Sequence, residues 1–225
     1  MLHFTNNNIM KNHIYILKTH LLENIVTFDK WYKIMPMERR RKIDSFYFSK
    51  DKRLSLGAGI LLHKGFLHEG ITNTELSYGK NGKPFLANKQ DVYFNLSHSE
   101  NMVICAFSDM PVGVDTEAYR HFDDELANFV YHKSETEYIY NNSDDADAGF
   151  TRLWTIKESI MKYFGTGLSL EPKEIHIDMQ NGINAFCKRY NCGNIHFTEY
   201  NADEYYITVC SEYKNFSDRL EWIIP

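Results

Sequence analysis

The sequence predicts an α+β protein of two similar-sized halves, each combining helices with a small, largely antiparallel sheet. Its 225 residues are enough for one large domain or two small ones. Each half contains both helical stretches and short strand-like runs. The segment Asp109–Pro111 interrupts the pattern, and a new strand follows it. We therefore expect an N-terminal half over residues 1–110 and a C-terminal half over residues 111–225.

The N-terminal half begins with a predicted strand at residues 13–19, which are rich in β-branched and aromatic side chains. Pro36 is typical of a helix's first turn, so we expect a helix from there to about Tyr47. Asp51 suits the start of a second helix, which runs to Gly70. Beyond these helices we expect a turn at residues 78–84. Two strands follow at 92–97 and 102–107, joined by a polar turn at 98–101.

The C-terminal half restarts with a strand at residues 112–117 and continues with helical stretches at about 123–141 and 150–164. The tail then returns to strand-like runs, which read EIHIDM, INAFCKR, NIHFTEY and YYITVC.

Composition excludes several classes of protein. Apolar residues make up 43% and charged residues 24% of the chain, which is ordinary globular usage. The formal net charge of −5 argues against a large nucleic-acid surface. No apolar run is long enough for a membrane span and none resembles a signal peptide, so we expect a cytoplasmic protein without membrane contact. The four cysteines show no metal-ligand spacing.

A basic stretch at residues 38–42, continued by Lys50, Lys52 and Arg53, stands out from this mildly acidic background. It indicates either a solvated helix face or a surface that grips an anionic ligand.

Two carboxylates lie on the strand at residues 112–117. Side chains alternate along a strand, so Asp115 and Glu117 project to one side and Thr116 to the other. Neighbouring carboxylates repel unless a cation lies between them, and hard oxygen ligands suit Mg²⁺. An exposed strand end is the alternative explanation.

A second group lies on the helix containing the sequence WTIKESIMK. Glu158 and Lys162 are four residues apart and share a helix face, whereas Lys157 points about 100° away from Glu158. The pair is either an ordinary surface ion pair or a third carboxylate beside an ammonium that binds phosphate.

Two further segments offer phosphate-binding groups. Ser97, His98 and Ser99 follow a predicted strand and present hydroxyl, imidazole and backbone N–H groups, although a capping turn would look the same. Neither serine lies in the Gly-X-Ser-X-Gly pattern of a serine hydrolase. Lys83, in the turn Gly82–Pro84, is uninformative by itself and does not belong to a P-loop.

In their order, these motifs resemble the 4'-phosphopantetheinyl transferase superfamily, specifically its Sfp-like (surfactin-synthetase-activating) branch. The resembling segments are GKP at 82–84, FNLSHS at 94–99, VGVDTE at 112–117, WTIKESIMK at 154–162 and GTGLSL at 165–170. The resemblance spans about residues 36–170. It implies two α+β halves related by pseudo-twofold symmetry, with coenzyme A bound in the cleft between them.

The resemblance also implies roles for particular residues. Mg²⁺ would be held against the coenzyme A pyrophosphate by Asp115, Glu117 and Glu158, and Glu158 is also the candidate base. Phosphate contacts would come from the remaining candidates, which are Lys162, Lys157, Ser97, His98, Lys83 and, for the 3'-phosphate, Arg53 and Lys42.

The implied reaction moves the phosphopantetheine arm of coenzyme A onto a serine of an apo acyl or peptidyl carrier protein and releases 3',5'-ADP, as a holo-[acyl-carrier-protein] synthase does. We expect a monomer that binds no nucleic acid. Two alternatives are a non-catalytic coenzyme A or carrier-protein binding module with this fold, and a different Mg²⁺-dependent phosphotransferase or phosphohydrolase. Intact carboxylates disfavour the first, and the absence of a P-loop disfavours the second.

Overall fold

The structure, a computed structural model, describes residues 12–88, 91–122, 124–142, 144–214 and 216–225. Within these ranges it confirms the α+β class. The helices are α1 (Ile25–Ile34), α2 (Met37–Ser45), α3 (Ser49–His68), α4 (Asp124–Val130), α5 (Lys133–Asn142) and α6 (Ala146–Phe164). None of the helices in these ranges is long and apolar enough to cross a lipid bilayer.

The strands are short and mostly antiparallel. They are β1 (His13–Lys18), β2 (Leu76–Tyr78), β3 (Pro84–Leu86), β4 (Tyr93–Ser99), β5 (Met102–Ser108), β6 (Val112–Ala118), β7 (Ile175–Asp178), β8 (Asn184–Cys187), β9 (His196–Ala202), β10 (Tyr205–Ser211) and β11 (Leu220–Trp222). They form a four-stranded sheet of order β11-β1-β5-β4, a three-stranded sheet of order β6-β10-β9, and the hairpins β2-β3 and β7-β8.

Each of the two larger sheets is covered by a long helix. Helix α3 packs on β1 and β5, and helix α6 packs on β6 and β10. The approach of α6 to β6 is especially close at Gly113, where a Cβ atom would lie 2.0 Å from the carbonyl oxygen of Ser159. Only glycine permits this contact. It holds the strand that carries Asp115 and Glu117 directly against the helix that carries Glu158.

The two sheets meet along β4 and β6, where side chains replace the usual backbone ladder. Alternate side chains of β4 accept hydrogen bonds from alternate backbone N–H groups of β6, each nineteen positions further along the chain, so the two strands run parallel. The donors and acceptors are Val114 N–H to Asn95 Oδ1 (2.8 Å), Thr116 N–H to Ser97 Oγ (3.4 Å) and Ala118 N–H to Ser99 Oγ (3.2 Å). We call these three contacts the β4–β6 seam.

Most predicted elements are present, with several differences. The polar turn expected at residues 98–101 is shorter, because β4 continues to Ser99, so His98 and Ser99 lie on a strand and the turn prediction was wrong for them. The helical stretch expected at 123–141 is divided into α4 and α5. Helix α1 and strands β2, β3 and β11 were missed. Strand β11 lies within the range assigned to the C-terminal half but pairs in parallel with β1 of the first sheet.

Candidate active site

The β4–β6 seam places Asp115 beside a lysine and a serine. The Lys162 ammonium on α6 donates to Asp115 Oδ1 at 2.5 Å and to Ser97 Oγ at 2.8 Å. The Ser97 hydroxyl in turn donates to Asp115 Oδ1 at 2.7 Å. Asp115 is only 2% exposed, and its second oxygen, Oδ2, is buried without a hydrogen-bond partner among the described residues. This orphaned oxygen is free to accept a cation or a donor from a ligand.

Glu117 follows Asp115 on the same face of β6. Its Oε2 accepts a hydrogen bond from the Ser99 hydroxyl at 2.8 Å, and its Oε1 accepts one from the Trp154 indole at 3.3 Å. Burial raises the pKa of Glu117, and the Asp115 carboxylate raises it further, while the bond from Ser99 opposes both. The period-two prediction that Asp115 and Glu117 share a face is confirmed.

Glu158 lies on α6, one turn before Lys162. Burial raises the pKa of Glu158 to about 7; Lys162 opposes this shift, whereas Asp115 and Glu117 add to it. The three carboxylates therefore share one electrostatic neighbourhood with one ammonium group. Their oxygen atoms are not gathered within 4.8 Å of one another; among the described residues, the group that meets this distance lies elsewhere. Lys162 and the Arg120 guanidinium offset only part of the negative charge, and the remaining repulsion favours separation of the carboxylates.

His98 and Lys42 lie near this carboxylate cluster. His98 projects from the face of β4 opposite to Ser97. Although His98 is exposed to solvent, partial desolvation by the surrounding protein lowers the pKa of its imidazole, and the ammonium groups of Lys162 and Lys42 lower it further. The imidazole thus lies within electrostatic reach of both lysines.

Lys42 also lines a cavity of about 880 Å³ between α2, α3 and residues 71–78. Arg39 and Tyr78 line the same cavity. Lys42 therefore both influences the charge state of His98 and lines this space.

Lys83 and Arg53 are less available than the sequence suggested. The Lys83 ammonium donates to the carbonyl oxygens of Val112 and Tyr163, each at 3.0 Å. It thereby ties the turn before β3 to the start of β6 and the end of α6. Arg53 on α3 is paired with Glu23 at 3.4 Å.

Lys157 does not join the cluster, and the prediction that it contacts the ligand phosphates is corrected. Its side chain is completely buried and its ammonium donates to Glu135 Oε2 at 2.8 Å. Backbone carbonyl oxygens of the C-terminal core accept its remaining hydrogen bonds, namely those of Val130, Pro172 and Ile175. Its position one residue before Glu158 turns it about 100° around α6, into the core instead of toward β4.

Sequence reasoning missed two contributors to the site and misassigned a third. Trp154 was visible only as an aromatic residue near Glu158, yet its indole holds Glu117. Asn95 was given no role and Ser99 was predicted to offer a phosphate-binding group, yet the side chains of both accept hydrogen bonds from β6. The alternation of Asn95, Ser97 and Ser99 is a period-two signal, and it would have identified a polar strand face.

Comparison with known proteins identifies the family to which the chain is similar. Residues 111–210 match the family described as "4'-phosphopantetheinyl transferase superfamily", and residues 25–109 match "4'-phosphopantetheinyl transferase, N-terminal". The chain is 27% identical over 204 residues to the 4'-phosphopantetheinyl transferase Sfp of Bacillus subtilis (strain 168), covering 87% of this chain and 90% of that protein. It is 32% identical over 145 residues to the 4'-phosphopantetheinyl transferase gsp of Aneurinibacillus migulanus, covering 63% and 60% respectively.

A more distant relative is the L-aminoadipate-semialdehyde dehydrogenase-phosphopantetheinyl transferase of Candida glabrata, 26% identical over 196 residues, which are 81% of this chain and 76% of that protein. The two family matches adjoin and together span residues 25–210 except for residue 110. The chain belongs to the 4'-phosphopantetheinyl transferase superfamily, in its Sfp-like branch.

Proposed function

We propose that this protein transfers the 4'-phosphopantetheine arm of coenzyme A to a serine hydroxyl of an apo carrier protein and releases 3',5'-ADP. The observation that carries the proposal is the cluster around Asp115. There an ammonium, a serine hydroxyl and three carboxylates lie together at the seam between the two sheets. Such a mixture suits a diphosphate accompanied by a divalent cation.

The carboxylates fit Mg²⁺. Asp115 Oδ2 is buried without a partner among the described residues, and the pKa values of Glu117 and Glu158 are raised by burial and by neighbouring carboxylates. Asp115, Glu117 and Glu158 would hold the ion. When bound, Mg²⁺ would neutralise charge on the diphosphate oxygens.

The chain's own groups account for the other requirements of the transfer. Lys162 lies where its ammonium can exchange the Asp115 oxygen for a phosphate oxygen, and Ser97 offers a hydroxyl beside it. In the transfer, the carrier serine oxygen forms a bond to the β-phosphorus while the bond from that phosphorus to the 3',5'-ADP oxygen breaks. Glu158 is the proposed acceptor of the serine proton, because its carboxylate lies in the same charged cluster as Lys162 and Asp115.

The adenosine end of coenzyme A is assigned to the basic side of the site. Lys162 and Lys42 both lower the pKa of His98, and Lys42 lines the 880 Å³ cavity. We place the 3'-phosphate near His98 and Lys42 and the adenosine toward this cavity. Arg53 is a weaker candidate because Glu23 already pairs with it. Lys83 would act by fixing the turn at residues 79–83 instead of by direct contact.

The finer parts of the proposal follow from the branch to which the chain belongs. We propose a Sfp-type enzyme, active as a monomer in the cytoplasm, with an acyl or peptidyl carrier protein as its partner. Sedimentation or size-exclusion measurements with light scattering test the monomer directly.

The activity is tested by incubating the protein with Mg²⁺, coenzyme A and several apo carrier proteins, and then weighing each carrier. A gain of one phosphopantetheine on a serine is expected, and chelation of the metal should remove it. Asp115→Ala and Glu158→Ala should each nearly abolish transfer. Glu137→Ala is the matched control, because it removes an exposed carboxylate from α5. Tight coenzyme A binding without transfer to any carrier would favour the non-catalytic binding module.

A further inference from the structure

A second cluster of chemically active side chains lies at the far end of the first sheet. It combines His13 at the start of β1, His68 and Glu69 at the end of α3, and Glu221 on β11. His13 pairs with Phe107 on β5, whereas Ser99 of the seam pairs with Met102 of the same strand. Five residues of strand, or about 17 Å, therefore separate this cluster from the seam.

The cluster has the dimensions of a small metal site. His13 Nε2 lies 3.8 Å from Glu69 Oε1, and His68 Nδ1 lies 3.6 Å from the same oxygen. One ligand atom from each of the three residues lies within 4.8 Å of the others. Ligands at about 2.0–2.1 Å around a tetrahedral zinc ion are separated by roughly 3.3–3.4 Å. A small contraction of the cluster would suffice to coordinate the ion.

The surroundings of His13 match those of a metal-bound histidine. Its other ring nitrogen, Nδ1, contacts the Glu221 carboxylate. Metal-ligating histidines usually donate their second N–H to a carboxylate or carbonyl, which fixes the ring orientation and directs the free nitrogen at the metal. Here Nε2 is directed at Glu69 Oε1. The imidazoles of His13 and His68 are held edge to face, with centroids 4.6 Å apart.

We propose that His13, His68 and Glu69 form a Zn²⁺ site, with Glu221 orienting His13 from the outer shell. Two imidazoles and one carboxylate are a ligand set that zinc accepts and that Mg²⁺ does not favour. The side chains of His13 and Glu69 are 15% and 11% exposed, while that of His68 is 53% exposed. The ion would therefore enter from the His68 side.

A zinc ion at this site would stabilise the position of strand β11 beside β1. Strand β11 has three residues and pairs with β1, with Glu221 opposite Tyr15. The Tyr15 hydroxyl contacts His68 Nδ1 in the metal-free cluster, and zinc would replace this contact. A metal held by β1 and α3, and linked through His13 to β11, would join three segments that are far apart in sequence and raise the stability of the folded state.

The proposal is tested by equilibrium dialysis of the full chain against buffered Zn²⁺, with millimolar Mg²⁺ present to occupy other carboxylates. One zinc per chain is expected, with a rise of about 5 to 10 °C in the thermal midpoint at a hundredfold excess over Kd. Co²⁺ should give the visible absorption of a site with nitrogen ligands. Amides of residues 220–222 should exchange hydrogen more slowly with zinc bound.

Variants locate the site. His68→Asn changes an exposed side chain and should weaken zinc binding by about 100-fold or more, while Glu221→Gln should weaken it by roughly 10- to 100-fold. Tyr15→Phe should bind zinc at least as tightly as the wild type, and His20→Asn, an exposed histidine outside the cluster, is the matched control. The proposal is overturned if the wild type takes up no stoichiometric zinc, if His68→Asn binds it as tightly as the wild type, or if Tyr15→Phe loses it.

Discussion

The buried pair of Lys157 and Glu135 gives the sharpest test of the structure, because the sequence motif and the structure assign Lys157 different roles. The Lys157→Met substitution keeps most of the side-chain volume and removes the ammonium. Glu135 would then be left as a buried carboxylate, 1% exposed, without its cation. Three backbone carbonyl groups would lose the same donor.

The expected loss in the free energy of unfolding is about 3–5 kcal/mol, the usual cost of removing one partner of a buried ion pair. That is a large share of the roughly 5–15 kcal/mol that stabilise a typical domain. It corresponds to a fall of about 6 to 20 °C in the thermal midpoint for a chain of this length. Urea denaturation followed by circular dichroism measures the change.

A double-mutant cycle isolates the pair. Glu135→Gln alone leaves Lys157 unpaired, so it should also be destabilising, whereas the double variant Lys157→Met/Glu135→Gln leaves no buried charge. The double variant should therefore lose less than the sum of the single losses, by about 2 kcal/mol or more. At a temperature where Lys157→Met is folded, its KM for coenzyme A should stay within about threefold of wild type. A tenfold rise in that KM, with less than about 1 kcal/mol lost in stability, would refute the reasoning and return Lys157 to the ligand site.

Two further predictions concern single charged groups. Glu158→Gln should lower kcat for arm transfer by about 10²- to 10⁴-fold. Its free energy of unfolding should be equal to or higher than that of the wild type, because the neutral amide relieves repulsion with Asp115 and Glu117. A destabilised variant in denaturant titrations would contradict this. Burial lowers the pKa of Lys83 from 10.5 to about 8, so between those pH values the unfolded chain binds a proton that the folded chain has lost. The free energy of unfolding of the wild type should therefore rise relative to that of Lys83→Met as pH increases from about 8 to 10.5, by on the order of 3 kcal/mol. An unchanged difference between pH 7 and 10 would show that the folded protein does not lower the pKa of Lys83.

Local patterns predicted the parts of the site that depend on local geometry. Strand alternation placed Asp115 and Glu117 on one face, and helix spacing placed Glu158 and Lys162 together. The partner of Lys157 could not be predicted, since Glu135 comes from a separate helix and nothing local links the two. The identity of a residue as lysine also does not reveal whether its ammonium group is buried or exposed.

The polar segment at the end of β4 was misjudged for a different reason. A run of asparagine, serine and histidine favours a turn when its backbone must find its own hydrogen bonds. Here Asn95, Ser97 and Ser99 are needed as acceptors for the N–H groups of β6, so tertiary structure keeps the segment extended. Strand β11 was missed because three residues are too few for a periodic signal.

Variants of the β4–β6 seam can separate effects on stability from effects on catalysis, because Asn95 and Ser97 of β4 contribute differently to the two. Asn95 holds the buried Val114 N–H at 2.8 Å, so Asn95→Ala should cost about 1–3 kcal/mol of unfolding free energy and change kcat/KM less than threefold. Ser97 gives the seam only a 3.4 Å contact but binds both Asp115 and Lys162. Ser97→Ala should therefore cost about 1 kcal/mol in stability and lower kcat/KM roughly tenfold or more, equivalent to about 1.4 kcal/mol of transition-state stabilisation. Denaturation and transfer kinetics on both variants decide the matter: if activity falls in proportion to stability in each, the Ser97 hydroxyl acts only as part of the seam and has no separate role beside Asp115.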